Sequence, residues 1–151
     1  MTRRASDLLP VARRIFGIED FRGLQQRSID AVLAGRDSLH VESTGIGKSL
    51  CYQLPALAAA HASPTSFTLV ISPLIALMED QVASINASVS APVAYCVHSN
   101  MHVRAQADTL RAVGSGDGML LYCSPERAQD PALITACTHA PAAAMRLCDR
   151  F

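Results

Sequence analysis

Ser38-Leu-His-Val-Glu-Ser-Thr-Gly-Ile-Gly-Lys-Ser-Leu-Cys-Tyr-Gln53 is the stretch on which the fold turns. Leu39 and Val41 alternate with polar residues and predict a short strand; Ser43, Thr44, Gly45, Ile46, Gly47, Lys48 and Ser49 form a glycine-bearing turn; a helix-compatible run follows. Strand, glycine loop and helix in that order are the layout of a loop that binds phosphate. Glycines let the backbone curl until successive N–H groups point inward, and the following helix adds the positive end of its dipole. In such a loop the Lys48 ammonium reaches the terminal phosphates and the Ser49 hydroxyl ligates Mg²⁺.

The strict pattern G-x-x-x-x-G-K-[ST] is not met, because Glu42 stands at its first glycine. Lys48 compensates as a signal: it is the only lysine in the chain, against twelve arginines. A compact ammonium suits a place among phosphates better than a planar fork does. The competing reading is a glycine-rich strand-to-helix turn with an incidental lysine.

Thirteen basic and thirteen acidic residues cancel over 151 residues, so any contact with nucleic acid has to be local and not a basic face. The length suits one domain. No Asp, Glu, Lys or Arg occurs from Ser49 to Met78, yet Gln53, Pro55, His61, Ser63, Pro64 and Ser66 cut that span into apolar runs too short for a membrane. Arg3-Arg4 lacks the apolar core of an export signal, because Arg13 and Arg14 follow closely, so a cytoplasmic location is expected. Cys51, Cys96, Cys123, Cys137 and Cys148 show no C-x-x-C spacing and read as buried apolar filler, with no structural zinc.

Taken in order, the pattern predicts helices over 8–15 and 24–34, the latter stopped by Gly35. After the loop strand a helix is expected from Lys48 to about His61, bent or broken at Pro55. Then come strand 67–71, helix 74–85, strand 93–97, a helix with Val103, Ala107, Leu110 and Val113 on one face, strand 119–122, helix 131–138 and strand 143–148. Gly114-Ser-Gly-Asp-Gly118 precedes a strand and reads as a plain turn. Alternating strands and helices give an α/β class with a mostly parallel sheet flanked by helices and functional residues at the strands' carboxyl ends.

Four blocks now resemble the first motor domain of RecQ-type DNA helicases, in helicase superfamily two. They are Phe16-Gly-Ile-Glu-Asp-Phe-Arg-Gly-Leu-Gln25, Ser43-Thr-Gly-Ile-Gly-Lys-Ser-Leu-Cys-Tyr-Gln-Leu-Pro-Ala56, Ile71-Ser-Pro-Leu-Ile-Ala-Leu-Met-Glu-Asp-Gln-Val82 and Leu121-Tyr-Cys-Ser-Pro-Glu-Arg127. One block is weak; four in the right order and spacing are specific. A P-loop kinase, the remaining alternative, accounts for the loop and for none of the other three.

The resemblance implies a RecA-like P-loop domain that binds ATP and Mg²⁺ and acts on single-stranded or partly duplex DNA, as part of a 3′-to-5′ unwinding enzyme of repair or recombination. Lys48 takes the catalytic role on the phosphates. Arg22, Gln25, Ser43, Thr44, Gly45, Ile46, Gly47, Lys48 and Ser49 hold ATP, with Gln25 on the adenine edge and Arg22 its partner. Ile18 stands where the family often has an aromatic ring to stack on adenine. Ser72, Pro73, Ser124 and Arg127 match segments that hold the sugar-phosphate strand, where hydroxyls and free N–H groups meet phosphates without reading bases. Ser49 and Asp149 are the Mg²⁺ candidates.

The pattern then breaks. Where the family has Asp-Glu-Ala-His, the chain reads Asp149-Arg150-Phe151. Arg150 thus replaces the glutamate that deprotonates the attacking water, a loss worth roughly 10²–10⁴ in rate. The whole chain, 1–151, is expected to be one partial ATP-binding motor domain, incomplete at the C-terminus, without the second RecA-like domain or the zinc module. The alternatives left open are a non-hydrolysing module for ATP and single-stranded DNA, and a non-functional remnant.

Overall fold

The computed structural model describes residues 4–62 and 66–139 and the backbone of 146–149. They divide into two compact units, residues 1–58 and 59–151, with the boundary inside one helix.

The first unit packs α1 (Ala5–Phe16), α2 (Gln25–Leu33) and the start of α3 (Leu50–Ala62). Helix α1 starts earlier than its apolar period suggests. The Asp7 carboxylate accepts the Arg4 N–H at 2.9 Å, and Asp30 of α2 accepts the Ala5 N–H at 2.6 Å. Two carboxylates at the first turn satisfy free amide groups and sit favourably at the positive end of the helix dipole, and Pro10 lies inside the helix. Gly17, at φ +65°, closes it in the left-handed conformation. Ala5, Leu8, Ala12, Ile29, Leu50, Cys51, Leu54 and Ala58 form this unit's core.

One expected element is missing. Residues 36–43 form no strand, and Leu39 and Val41 stand 90% and 74% exposed. Alternation alone does not make a strand; it needs a neighbour to fill its ladder and a surface to cover its apolar side chains, and among the described residues neither is present. Of the two outcomes expected for helix α3, a bend or a break, the break does not occur. The helix runs through Pro55, and the proline ring is fully buried.

In the second unit β1 (Thr68–Ile71), β2 (Ala94–Val97) and β3 (Leu120–Cys123) form a parallel sheet in the order β2-β3-β1, extended beside β1 by β4 (Arg146–Asp149). Strand β4 covers the later part of the predicted strand; residues 143–145 lie outside the described residues. Helices α4 (Ile75–Val89), α5 (Val103–Gly114) and α6 (Pro131–His139) supply the connections. Parallel strands need such crossovers, and strands covered on both faces read as continuous apolar runs, as Leu120 to Cys123 do. Phe67, Leu69, Val97, Val113, Leu121, Cys123, Leu133 and Cys137 make the core. Burial pushes the Cys123 thiol up to about 12 and the Cys137 thiol upward as well, so both remain protonated apolar filler.

Candidate functional site

The loop between residues 43 and 49 is shaped by two glycines, Gly45 at φ +86° and Gly47 at φ +85°. The conformation requires glycine at Gly47, and a β-carbon there would also lie 2.9 Å from the Gln25 amide nitrogen and push it aside. The chain then enters α3 through bonds from the Leu50 N–H to the Gly47 carbonyl and from the Gln53 N–H to the Ser49 carbonyl. Among the described residues no acceptor meets the backbone N–H groups of Gly45, Ile46, Gly47, Lys48 or Ser49. Lys48 Nζ donates to the carbonyls of Glu42 (2.8 Å) and Ser43 (2.7 Å) and makes no ion pair among the described residues, leaving its third proton unassigned.

The Arg22–Gln25 turn lies against this loop. Gln25 is buried; its Oε1 accepts the Arg22 N–H at 2.8 Å, and its Nε2 donates to the carbonyls of Ile46 (2.8 Å) and Gly47 (3.0 Å). Both amide protons are therefore engaged within the chain. The Arg22 side chain is exposed. Glu42 joins the same cluster. Its Oε1 accepts the Leu24 N–H at 3.0 Å, its Oε2 meets His40 Nε2, and His40 Nδ1 lies 2.7 Å from Ser28 Oγ.

In the second unit the strands' carboxyl ends deliver their next residues in a row. His98 follows β2, Ser124 follows β3 and Ser72 follows β1, with Val97 and Ile71 both level with Cys123. Ser72 and Ser124 are buried, and Pro73 is exposed. The Ser72 N–H donates to the Cys123 carbonyl at 3.0 Å and its hydroxyl takes the Leu74 N–H at 3.4 Å. Ser124 Oγ takes the Arg127 N–H at 3.4 Å, and Arg127 pairs with Asp130 at 2.7 Å across a short 3-10 turn. The Glu126 carboxyl is held below its ordinary value, first by its own backbone N–H and then by Ser124. Asp149 ends β4 level with Ile71, which puts its backbone at the same carboxyl edge; Arg150 lies outside the described residues. His98 is buried 3.2 Å from Glu79, at ion-pair distance but off the direction of a hydrogen bond.

The loop's own groups fit a phosphate chain. Successive unpaired N–H groups, two glycines at positive φ and a helix start beside an ammonium that makes no ion pair among the described residues concentrate positive potential at one place. The Ser49 hydroxyl carries no bond within the described residues and is a donor oxygen of the kind Mg²⁺ prefers.

The sequence profile of the DEAD/DEAH box helicases matches residues 22–144, most of the chain. This chain belongs to the DEAD/DEAH box helicase family. Among its relatives, the ATP-dependent DNA helicase RecQ of Synechocystis is 46% identical over 114 residues, covering 76% of this chain and 22% of the relative. The ATP-dependent DNA helicase Q4 of Mus musculus is 44% identical over 110 residues, covering 73% and 9%. The chain thus spans about a fifth or less of these two relatives. A solved structure of a hypothetical ATP-dependent RNA helicase from Sulfolobus tokodaii superposes with a TM-score of 0.66 at 21% identity, over 86% of this chain and 37% of that one, and shows the RecA-like fold. No helix among the described residues of this helicase-family chain is long and apolar enough to cross a membrane.

Two features of this helicase-family site escaped the sequence reading. Glu42 registered there only as a failed glycine, although its side chain contacts the turn before α2. Asp130 went unnoticed as the partner that holds Arg127; the three-residue spacing on a turn was its only signal.

Proposed function

We propose that this chain is the ATP-binding and single-strand-binding part of the motor of an ATP-dependent 3′-to-5′ DNA helicase. The observation that carries this reading is the run of unpaired N–H groups from Gly45 to Ser49 beside the lone lysine, at the start of α3. In the proposed complex Ser43, Thr44, Gly45, Ile46, Gly47 and Lys48 surround the phosphates, and the Ser49 hydroxyl ligates Mg²⁺, which neutralises phosphate charge when bound. Gln25 and Arg22 take the adenine side. Since both amide protons of Gln25 are engaged with the loop, reading adenine requires that it exchange partners.

Ser72, Pro73, Ser124 and Arg127 are proposed to track the backbone of single-stranded or partly duplex DNA. The proposed setting is the cytoplasm. The RecQ-type resemblance and the relatives' names support the ATP and DNA assignments; those relatives are several times longer.

A specific observation favours a second reading, binding without turnover. Arg150 follows Asp149, and a guanidinium cannot accept the proton of an attacking water. Titration of a fluorescent ATP analogue with Mg²⁺ tests both readings. The wild-type chain should bind and Lys48→Ala should weaken binding at least tenfold, with phosphate release near background in either protein. Equal signals from the two proteins sink the nucleotide assignment; brisk phosphate release sinks the second reading.

A further inference from the structure

We infer that Glu42, oriented by His40, is a positioning residue that keeps the base-side turn at residues 22–25 tied to the phosphate loop, and so sets how far this chain prefers a nucleoside triphosphate over bare triphosphate. The inference rests on the nucleotide reading above and concerns a side chain to which that reading gives no role.

Glu42 stands at the first position of the loop and serves both sides of it. Its carbonyl accepts a proton from the Lys48 ammonium at 2.8 Å, while its carboxylate Oε1 accepts the Leu24 N–H at 3.0 Å. One residue therefore touches the cation meant for phosphates and the turn that presents Gln25. The carboxylate is not free to swing. His40 Nε2 holds its other oxygen, and Ser28 Oγ on α2 holds His40 Nδ1 at 2.7 Å, so the orienting chain ends on a helix packed into the core. The turn is shaped to receive it. Gly23 adopts φ +50°, and a β-carbon there would overlap Glu42 Oε1.

The second tie between turn and loop is Gln25, through the Ile46 and Gly47 carbonyls. An amide group has two protons, and both are spent there. When Gln25 turns to a base it must release at least one of these bonds, and the loop then depends on the tie that does not involve Gln25. Glu42 supplies that tie. Without it, engaging the base frees the turn from the loop, and the ordering of both segments falls on the ligand.

Competition against a fluorescent ATP analogue, with ATP or with inorganic tripolyphosphate in the presence of Mg²⁺, tests this. Glu42→Ala should lose about tenfold in affinity for ATP, the scale of one hydrogen bond to a charged group, and change less than about twofold for tripolyphosphate. Glu42→Gln keeps an oxygen for the Leu24 N–H and should stay within about threefold of wild type for both ligands. A loss of equal size for ATP and tripolyphosphate in Glu42→Ala, or no loss, overturns the inference while leaving nucleotide binding intact. If Lys48→Ala leaves both wild-type titrations unchanged, the nucleotide reading fails and this inference fails with it. Should Glu42→Ala unfold, His40→Leu keeps the carboxylate and removes its orienting partner. The same selective loss is then required, and an unchanged ratio of the two affinities overturns the inference.

Discussion

The His40 ring holds the Glu42 carboxyl below its ordinary value of 4.5, and the Leu24 N–H and Lys48 charge push the same way against partial desolvation. A carboxyl whose folded value is depressed binds its proton less readily in the folded chain than in the unfolded one. Its stabilising share is therefore complete above the unfolded value, about 4.3 to 4.5, and fades as pH falls through the lowered folded value. Glu42→Gln removes that share and leaves the one from Glu126, which is also depressed. Circular dichroism between pH 2 and 6 should show the wild type losing stability toward acid more steeply than the glutamine variant; superimposable acid curves would count against an ionised Glu42 in the folded chain. Legibility at this scale follows the pattern that carries it. Lys48, Gly45 and Gly47 were readable because a loop motif fixes their identity and spacing. The work of Glu42 was not, since Leu24, which it bonds, and Ser28, which holds its partner His40, are far off in sequence and no local period links them.

The parallel strands at residues 68–71, 94–97 and 120–123 follow the apolar runs closely, and α4 and α5 stand where the pattern marks them although Leu74, Leu77 and Val103 of the marked faces are exposed. The segment at residues 36–43 does not, since a strand's state depends on a neighbour that the pattern cannot name. Asn86 illustrates the complementary blind spot. Inside α4 it is a polar residue of no periodic value, yet its side chain accepts the N–H groups of Val93 (2.9 Å) and Ala94 (2.8 Å) and donates to the Ala94 carbonyl (2.9 Å). It thereby ties the helix to the start of β2. Asn86→Ala removes three half-buried bonds at once and leaves backbone groups wanting partners, so a loss of about 2–4 kcal/mol is expected. Urea unfolding would measure it, and a loss under about 0.5 kcal/mol, the usual surface value, would mean that water replaces the side chain at little cost.

Charge is a property of the whole molecule, and here it limits how DNA can be held. With thirteen acidic residues against thirteen basic ones the chain has no net attraction for a phosphate backbone, and the cation assigned to the strand, Arg127, already faces Asp130 at 2.7 Å. The binding proposed along Ser72, Pro73 and Ser124 then relies on the serine hydroxyls, which release few counterions. For single strands the slope of log K against log salt is about −0.7 per neutralised phosphate. One or two such contacts give a slope between about −0.7 and −1.4, whereas a basic groove neutralising six phosphates would give about −4. Anisotropy titrations of a labelled oligothymidine across a salt series should return the shallow slope. Arg127→Ala should flatten it further, because the only cation proposed for that edge is then gone. A slope steeper than about −3, or one that Arg127→Ala leaves untouched, would place the strand elsewhere, on a surface where several of the remaining eleven arginines converge.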